Sequence, residues 1–90
     1  MFIFKAKQTT NPSKLASAIA HNIGHSDITV DCLGPQAVNA TAKGLIIAKK
    51  YIQNEPFTLA FDLFSLEEVD ADGITINIIQ FVISKVEKEV

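Results

Sequence analysis

The sequence predicts a two-layer α/β sandwich with element order β-α-β-α-β-β: a four-stranded mixed sheet carrying both helices on one face. Three observations carry this prediction. Segments 2–8, 27–33 and 57–64 alternate apolar and polar positions, the period of a half-buried strand. Two stretches rich in small residues open with Asn11-Pro12 and Gly34-Pro35, pairs that start helices. The last apolar segment, 74–84, becomes apolar on both sides after Asn77, which marks a strand inside its sheet.

In residues 2–8, Phe2, Phe4 and Ala6 point one way and Ile3, Lys5 and Lys7 the other. Thr9-Thr10-Asn11-Pro12 turns the chain into a first helix. There Leu15, Ile19 and Ile23 recur every fourth residue beside Ala16 and Ala20, and Ser13, Ser17 and His21 form the wet side. Gly24 is a natural stop. In 27–33, Ile28, Val30 and Cys32 face inward and Thr29 and Asp31 outward.

The second helix follows Gly34, with Val38, Thr41, Ala42, Leu45, Ala48 and Ile52 assigned to its core side and Gln36, Asn39, Lys43 and Lys50 to the other. Its small residues, Ala37, Ala40, Ala42, Gly44 and Ala48, allow close approach to a neighbour. Ile47 is read as projecting among Lys43, Asn39 and Lys50, either as part of a partner surface or as a lone exposed apolar group. Asn54-Glu55-Pro56 ends this helix.

Residues 57–64 place Phe57, Leu59, Phe61 and Leu63 on one face. The acidic run Glu67–Asp72 and Gly73 then form a hairpin turn. The charged tail, 85–90, is expected to fray. Right-handed crossovers put both helices on one side of the sheet and leave its other face half open to water or to a partner.

Ninety residues make one domain, 1–90, with one modest core, and 48% apolar content argues against disorder. No apolar run approaches the roughly 20 residues that span a bilayer. The start, Met1-Phe2-Ile3-Phe4-Lys5, lacks the pattern of a signal peptide. Cys32 is alone and forms no internal disulfide, which fits a cytoplasmic setting. Net charge is −2, but residues 1–50 carry +4 and residues 51–90 carry −6. A basic half can present a positive face within an acidic whole. There is no Arg, so the guanidinium fork that reads guanine is missing.

Signals for catalysis or metals are weak. His21 and His25 have a helical metal spacing, but Gly24 separates them and no third ligand is near. Glu68–Gly73 imitates the first half of a calcium loop, yet Ile79 stands where a bidentate Glu is required. Cys32 alternates inward and reads as core. No nucleophile, base and orienter can be assembled, and no cofactor is implied. The first turn of each helix offers N–H groups for a phosphate oxygen. Lys14 stands in the first of these turns, and with Lys5, Lys7, Lys43, Lys49 and Lys50 it could track a nucleic-acid backbone. Keeping the surface soluble is the plainer reading of these lysines.

Thr10-Asn11-Pro12 with Ala16, Ala18 and Ala20, Gly34, Ala37-Val38-Asn39, Lys43 and Ile47-Ala48-Lys49-Lys50-Tyr51-Ile52 carry a family likeness. Over about residues 4–83 the chain resembles the bacterial stage V sporulation protein S family, which is similar in fold to the Alba chromatin proteins. The resemblance implies sheet order 1-2-4-3 and a small non-enzymatic regulator of sporulation or cell division, working as a homo-oligomer (dimer or tetramer). It also implies binding of DNA or RNA. Asn39 and Lys43 match family polar positions, Lys49 stands where Arg is usual, and Lys14 lies where Alba proteins use lysine on nucleic acid. Two departures stand out: Asp62 replaces the family's Pro, and Asp72-Gly73-Ile74-Thr75 lacks the hairpin's usual basic residue.

Two functional expectations result. In the first, Lys14, Asn39, Lys43, Lys49 and Lys50 contact nucleic acid, with Ile47 near a subunit seam. In the second, Ile47 and the small-residue helix surface build an assembly that binds no nucleic acid.

Overall fold

The computed structural model describes residues 1–88, so the expectation for Glu89 and Val90 lies outside the described residues. The elements are β1 (Phe2–Ala6), α1 (Pro12–Asn22), β2 (Ile28–Cys32), α2 (Pro35–Tyr51), β3 (Phe57–Val69) and β4 (Thr75–Glu87). The sheet order is β1-β2-β4-β3. β1 and β2 are parallel, while β4 runs antiparallel to both β2 and β3. The doubly apolar last strand is therefore interior, as its pattern predicts.

Local chemistry fixes both helix starts. Asn11 Oδ1 accepts the N–H groups of Ser13 at 2.9 Å and Lys14 at 3.1 Å. Gly34 caps α2 without a side chain because its φ of 89° suits glycine. Gly24 does not take the left-handed conformation expected of a helix stop, since positive φ among the described residues occurs only at Gly34 and Gly73. α1 instead ends through the Ile23 N–H bond to the Ile19 carbonyl and the His25 N–H bond to Asn22.

The core lies between the helices and one face of the sheet. Ile28, Val30, Cys32, Phe81, Ile83 and Leu59 from the strands meet Leu15, Ile19, Leu45 and Ala48 from the helices. Gly44 admits the first turn of α1: a Cβ there would stand 3.2 Å from the Pro12 carbonyl oxygen and 3.6 Å from Leu15. The buried side of α2 is Ala37, Ala40, Thr41, Gly44, Leu45 and Ala48. Ala42, expected in the core, is exposed, and Val38 is only partly buried.

The hairpin is longer than its pattern suggests. β3 continues past residue 64 to Val69, and β4 continues through Lys85 to Glu87 instead of fraying. Lys85 Nζ donates to the Gly24 carbonyl at 3.1 Å and lies 5.6 Å from the centre of the Phe57 ring. β2 meets β4 only at residues 79–83. From Ile79 to Thr75 the hairpin thus runs about 14 Å beyond the body, and the molecule extends 51 × 20 × 17 Å.

Candidate nucleic-acid interface

The sequence of α2 sets the main line of polar groups. At about 100° per residue, Lys43 and Lys50 fall within about 40° of Asn39 around the axis. The three side chains form a stripe about 16 Å long, and all three are exposed. About 16 Å corresponds to roughly five nucleotides of rise along one strand of a duplex. Lys14 is exposed in the first turn of α1, which lies against α2 at Gly44, next to Lys43.

The apolar residue inside this stripe is Ile46, not Ile47. Ile46 lies about 20° from Asn39 and Ile47 about 80°. Ile46 is 60% exposed, whereas Ile47 is partly buried and packs against the core. The cause is tertiary: Asn11, Pro12 and Ser13 lie beside that flank of α2 and form, with Lys43, Ile46 and Ile47, an open groove of about 390 Å³. On its other side Ile46 borders a hollow of about 200 Å³ with Ala42, Leu45, Lys49 and Phe61. Lys49 is therefore carried away from the Asn39–Lys50 stripe and toward β3. Phe61 and Leu63 are about half exposed there. Their alternation is legible in sequence, but their exposure is not, because it depends on how far the helices reach over β3.

The lysines do not share one face. Lys14, Lys43, Lys49 and Lys50 belong to the helix layer, whereas Lys5 lies on the opposite side of the sheet, in register with Asp31. The helix starts also differ from expectation. The Ser13 and Lys14 N–H groups are engaged by Asn11 Oδ1, and Leu15 N–H bonds the Asn11 carbonyl at 3.1 Å. The first turn of α1 thus has no N–H left for a phosphate, while that of α2 has no side-chain cap hydrogen bond.

The other candidates have structural roles. Cys32 is buried, and burial pushes its thiol above the ordinary value, with a smaller lowering by Thr41 and a further rise from Asp31. Thr41 Oγ1 donates to the Ala37 carbonyl at 2.9 Å and lies 3.2 Å from the Cys32 sulfur, whose thiol also faces the Val30 carbonyl at 3.9 Å. Asp70 Oδ1 accepts the N–H groups of Asp72 and Ile74, each at 2.9 Å, and so closes the hairpin turn. His21 ends up in the last turn of α1 and His25 beyond it. Among the described residues no group of three or more His, Cys, Asp or Glu is placed to hold a metal ion. No helix among them is long and apolar enough to cross a membrane.

Comparison with known proteins adds one finding. The family model described as Stage V sporulation protein S matches residues 3–86. No curated protein matches the chain.

Proposed function

Because the chain belongs to the stage V sporulation protein S family, a sporulation family, we propose that it is a non-enzymatic regulator that binds the backbone of DNA or RNA through its helix layer. One observation carries this reading. Neither α1 nor α2 contains a single acidic residue, yet together they hold Lys14, Lys43, Lys49 and Lys50. The nine acids among the described residues all lie in strands or in the connections between elements. Such segregation leaves a positive layer on an acidic protein, the arrangement that attracts phosphate without reading sequence. Lysine and asparagine supply point contacts along the stripe, and the lack of Arg fits binding with little base preference. The acidic tip, Glu67 to Asp72, is carried out on the extended hairpin.

The test is a fluorescence-anisotropy titration of short duplex DNA and single-stranded RNA at low and physiological salt. Binding should fall steeply with salt. Lys43→Glu should weaken it and lower the log–log salt slope by about 0.9 on duplex or about 0.7 on a single strand for each lost phosphate contact. Unchanged affinity at low salt removes this face from consideration.

A second reading rests on the ridge of Ile46, Phe61 and Leu63, whose exposed apolar groups suit assembly without nucleic acid. Ile46→Lys tests it better than a change at Ile47, whose contacts with the core would confuse the result. Loss of subunit association with nucleic-acid affinity intact would favour the assembly role for this ridge.

A further inference from the structure

We propose that the helix layer takes single-stranded nucleic acid in preference to duplex, with Phe61 as a platform on which an unpaired base stacks. This rests on the reading above that the layer holds a nucleic-acid backbone, and it adds which form of nucleic acid is bound. Backbone contact alone leaves the apolar part of the layer unused. Ile46 stands exposed between two hollows, and each hollow has a lysine on its rim. Lys43 borders the groove toward α1. Lys49 borders the hollow toward β3, about 9 Å further along the helix axis. Among the described residues no acid lines either hollow. A single strand presents phosphates and open base faces together, and lysines beside apolar hollows complement both.

Phe61 has the setting of a stacking platform. Alternation along β3 places it on the helix side with the buried Leu59, while Asp62 points to the opposite face of the sheet. Phe81 of β4 is buried behind it, with 5.5 Å between ring centres and 47° between ring planes. That aromatic contact holds the Phe61 ring in place. The ring is nevertheless 47% exposed. It walls the hollow of about 200 Å³ that Ala42, Leu45, Ile46 and Lys49 complete. This volume is below the roughly 300–1,000 Å³ of sites for drug-sized ligands and suits one ring system. Lys49 on the rim is placed to meet the phosphate of a nucleotide whose base lies on Phe61.

A closed duplex cannot use this platform. Its bases are stacked inside, and Phe61 forms the wall of a hollow, not a tip that wedges between base pairs. Only a base turned out of its stack reaches the ring, and an unpaired strand supplies one without the cost of opening pairs. Every base has a π-face, so the platform does not select sequence, in keeping with a chain that has no Arg.

The experiment compares oligo(dT) with the oligo(dT)·oligo(dA) duplex of equal length by fluorescence anisotropy at low salt. Wild type should bind the single strand more tightly, by about tenfold or more. Phe61→Ala should weaken oligo(dT) binding by about tenfold and leave duplex affinity little changed. Phe61→Tyr, which keeps a ring face, should bind like wild type; Phe61→Leu, which keeps only apolar bulk, should bind like Phe61→Ala. The chain has no Trp, so in Phe61→Trp the indole emission reports this position alone. Oligo(dT) should quench it and the duplex should not. Melting followed by circular dichroism shows whether each variant folds; if Phe61→Ala does not, Phe61→Tyr and Phe61→Trp still decide. Duplex bound as tightly as the single strand, Phe61→Leu equal to wild type, or unquenched indole emission overturns the proposal. Steeply salt-dependent binding of both forms that ignores Phe61 leaves the backbone reading standing and removes this one. No binding of either form removes both. Loss of oligo(dT) affinity that only follows loss of subunit association in sedimentation velocity assigns Phe61 to a seam between copies and also overturns the proposal.

Discussion

Two buried threonines have opposite surroundings, and the same isosteric substitution should therefore have opposite signs. Thr29 Oγ1 has no hydrogen-bond partner among the described residues, although the residue is buried on the open side of β2. Thr41 Oγ1 donates to the Ala37 carbonyl and contacts the Cys32 sulfur. An unmet buried polar group costs about 1–3 kcal/mol, while a satisfied one contributes about 1 kcal/mol net. Thr29→Val should thus stabilise the protein by about 1 kcal/mol. Thr41→Val should destabilise it by about 1–2 kcal/mol, because the Ala37 carbonyl loses its side-chain donor and the Cys32 sulfur loses its polar contact. Intrinsic propensity separates Thr from Val little in a strand or in a helix, so hydrogen bonding decides the sign. Urea unfolding at one fixed protein concentration measures both changes, and each kcal/mol should move Tm by about 4–8 °C for a chain of this size. Shifts of the same sign in the two variants, with unchanged m values, would refute the reasoning.

Asn11→Ala removes the acceptor of two N–H groups at the start of α1 and should cost about 1 kcal/mol, measured by the same unfolding. The buried Cys32 thiol should react slowly with an alkylating reagent in the folded protein and quickly in urea. Its folded pKa lies above the ordinary 9.0, so the unfolded chain releases this proton first. Its contribution to stability is accordingly intact below about pH 9 and is lost as pH rises from there through the folded pKa. Cys32→Ala should flatten that alkaline decline in a pH series of unfolding curves.

Much of the fold is legible in the sequence because its signals are local. Asn11-Pro12 and Gly34-Pro35 start both helices where expected, and the alternation of Ile28, Val30 and Cys32 gives β2 its buried face. The two-sided apolar pattern after Asn77 marks β4 as interior, a property set by its own side chains. The hairpin is less legible. Asp62, Glu67 and Glu68 interrupt the apolar pattern, but an edge strand in solvent tolerates charge on its open faces, so β3 continues to Val69.

The candidate site shows the same division. The composition of α1 and α2, lysines without acids, is fixed by sequence alone, as is the stripe of Asn39, Lys43 and Lys50, which needs only the pitch of a helix. Whether Ile46 or Ile47 meets solvent is decided by α1, whose first turn comes close at Gly44 and lies along one flank of α2. Whether a helix start is free for an anion is decided by a side-chain rotamer, here that of Asn11. Lys5 and Lys14 share one basic half of the chain but lie on opposite sides of the sheet, because the right-handed crossover sends α1 to one face while alternation sends Lys5 to the other. Sequence thus determined which residues share a helix face or a strand face, since those periods belong to the backbone. Only the tertiary structure decided which faces are covered, because burial depends on segments distant in the chain.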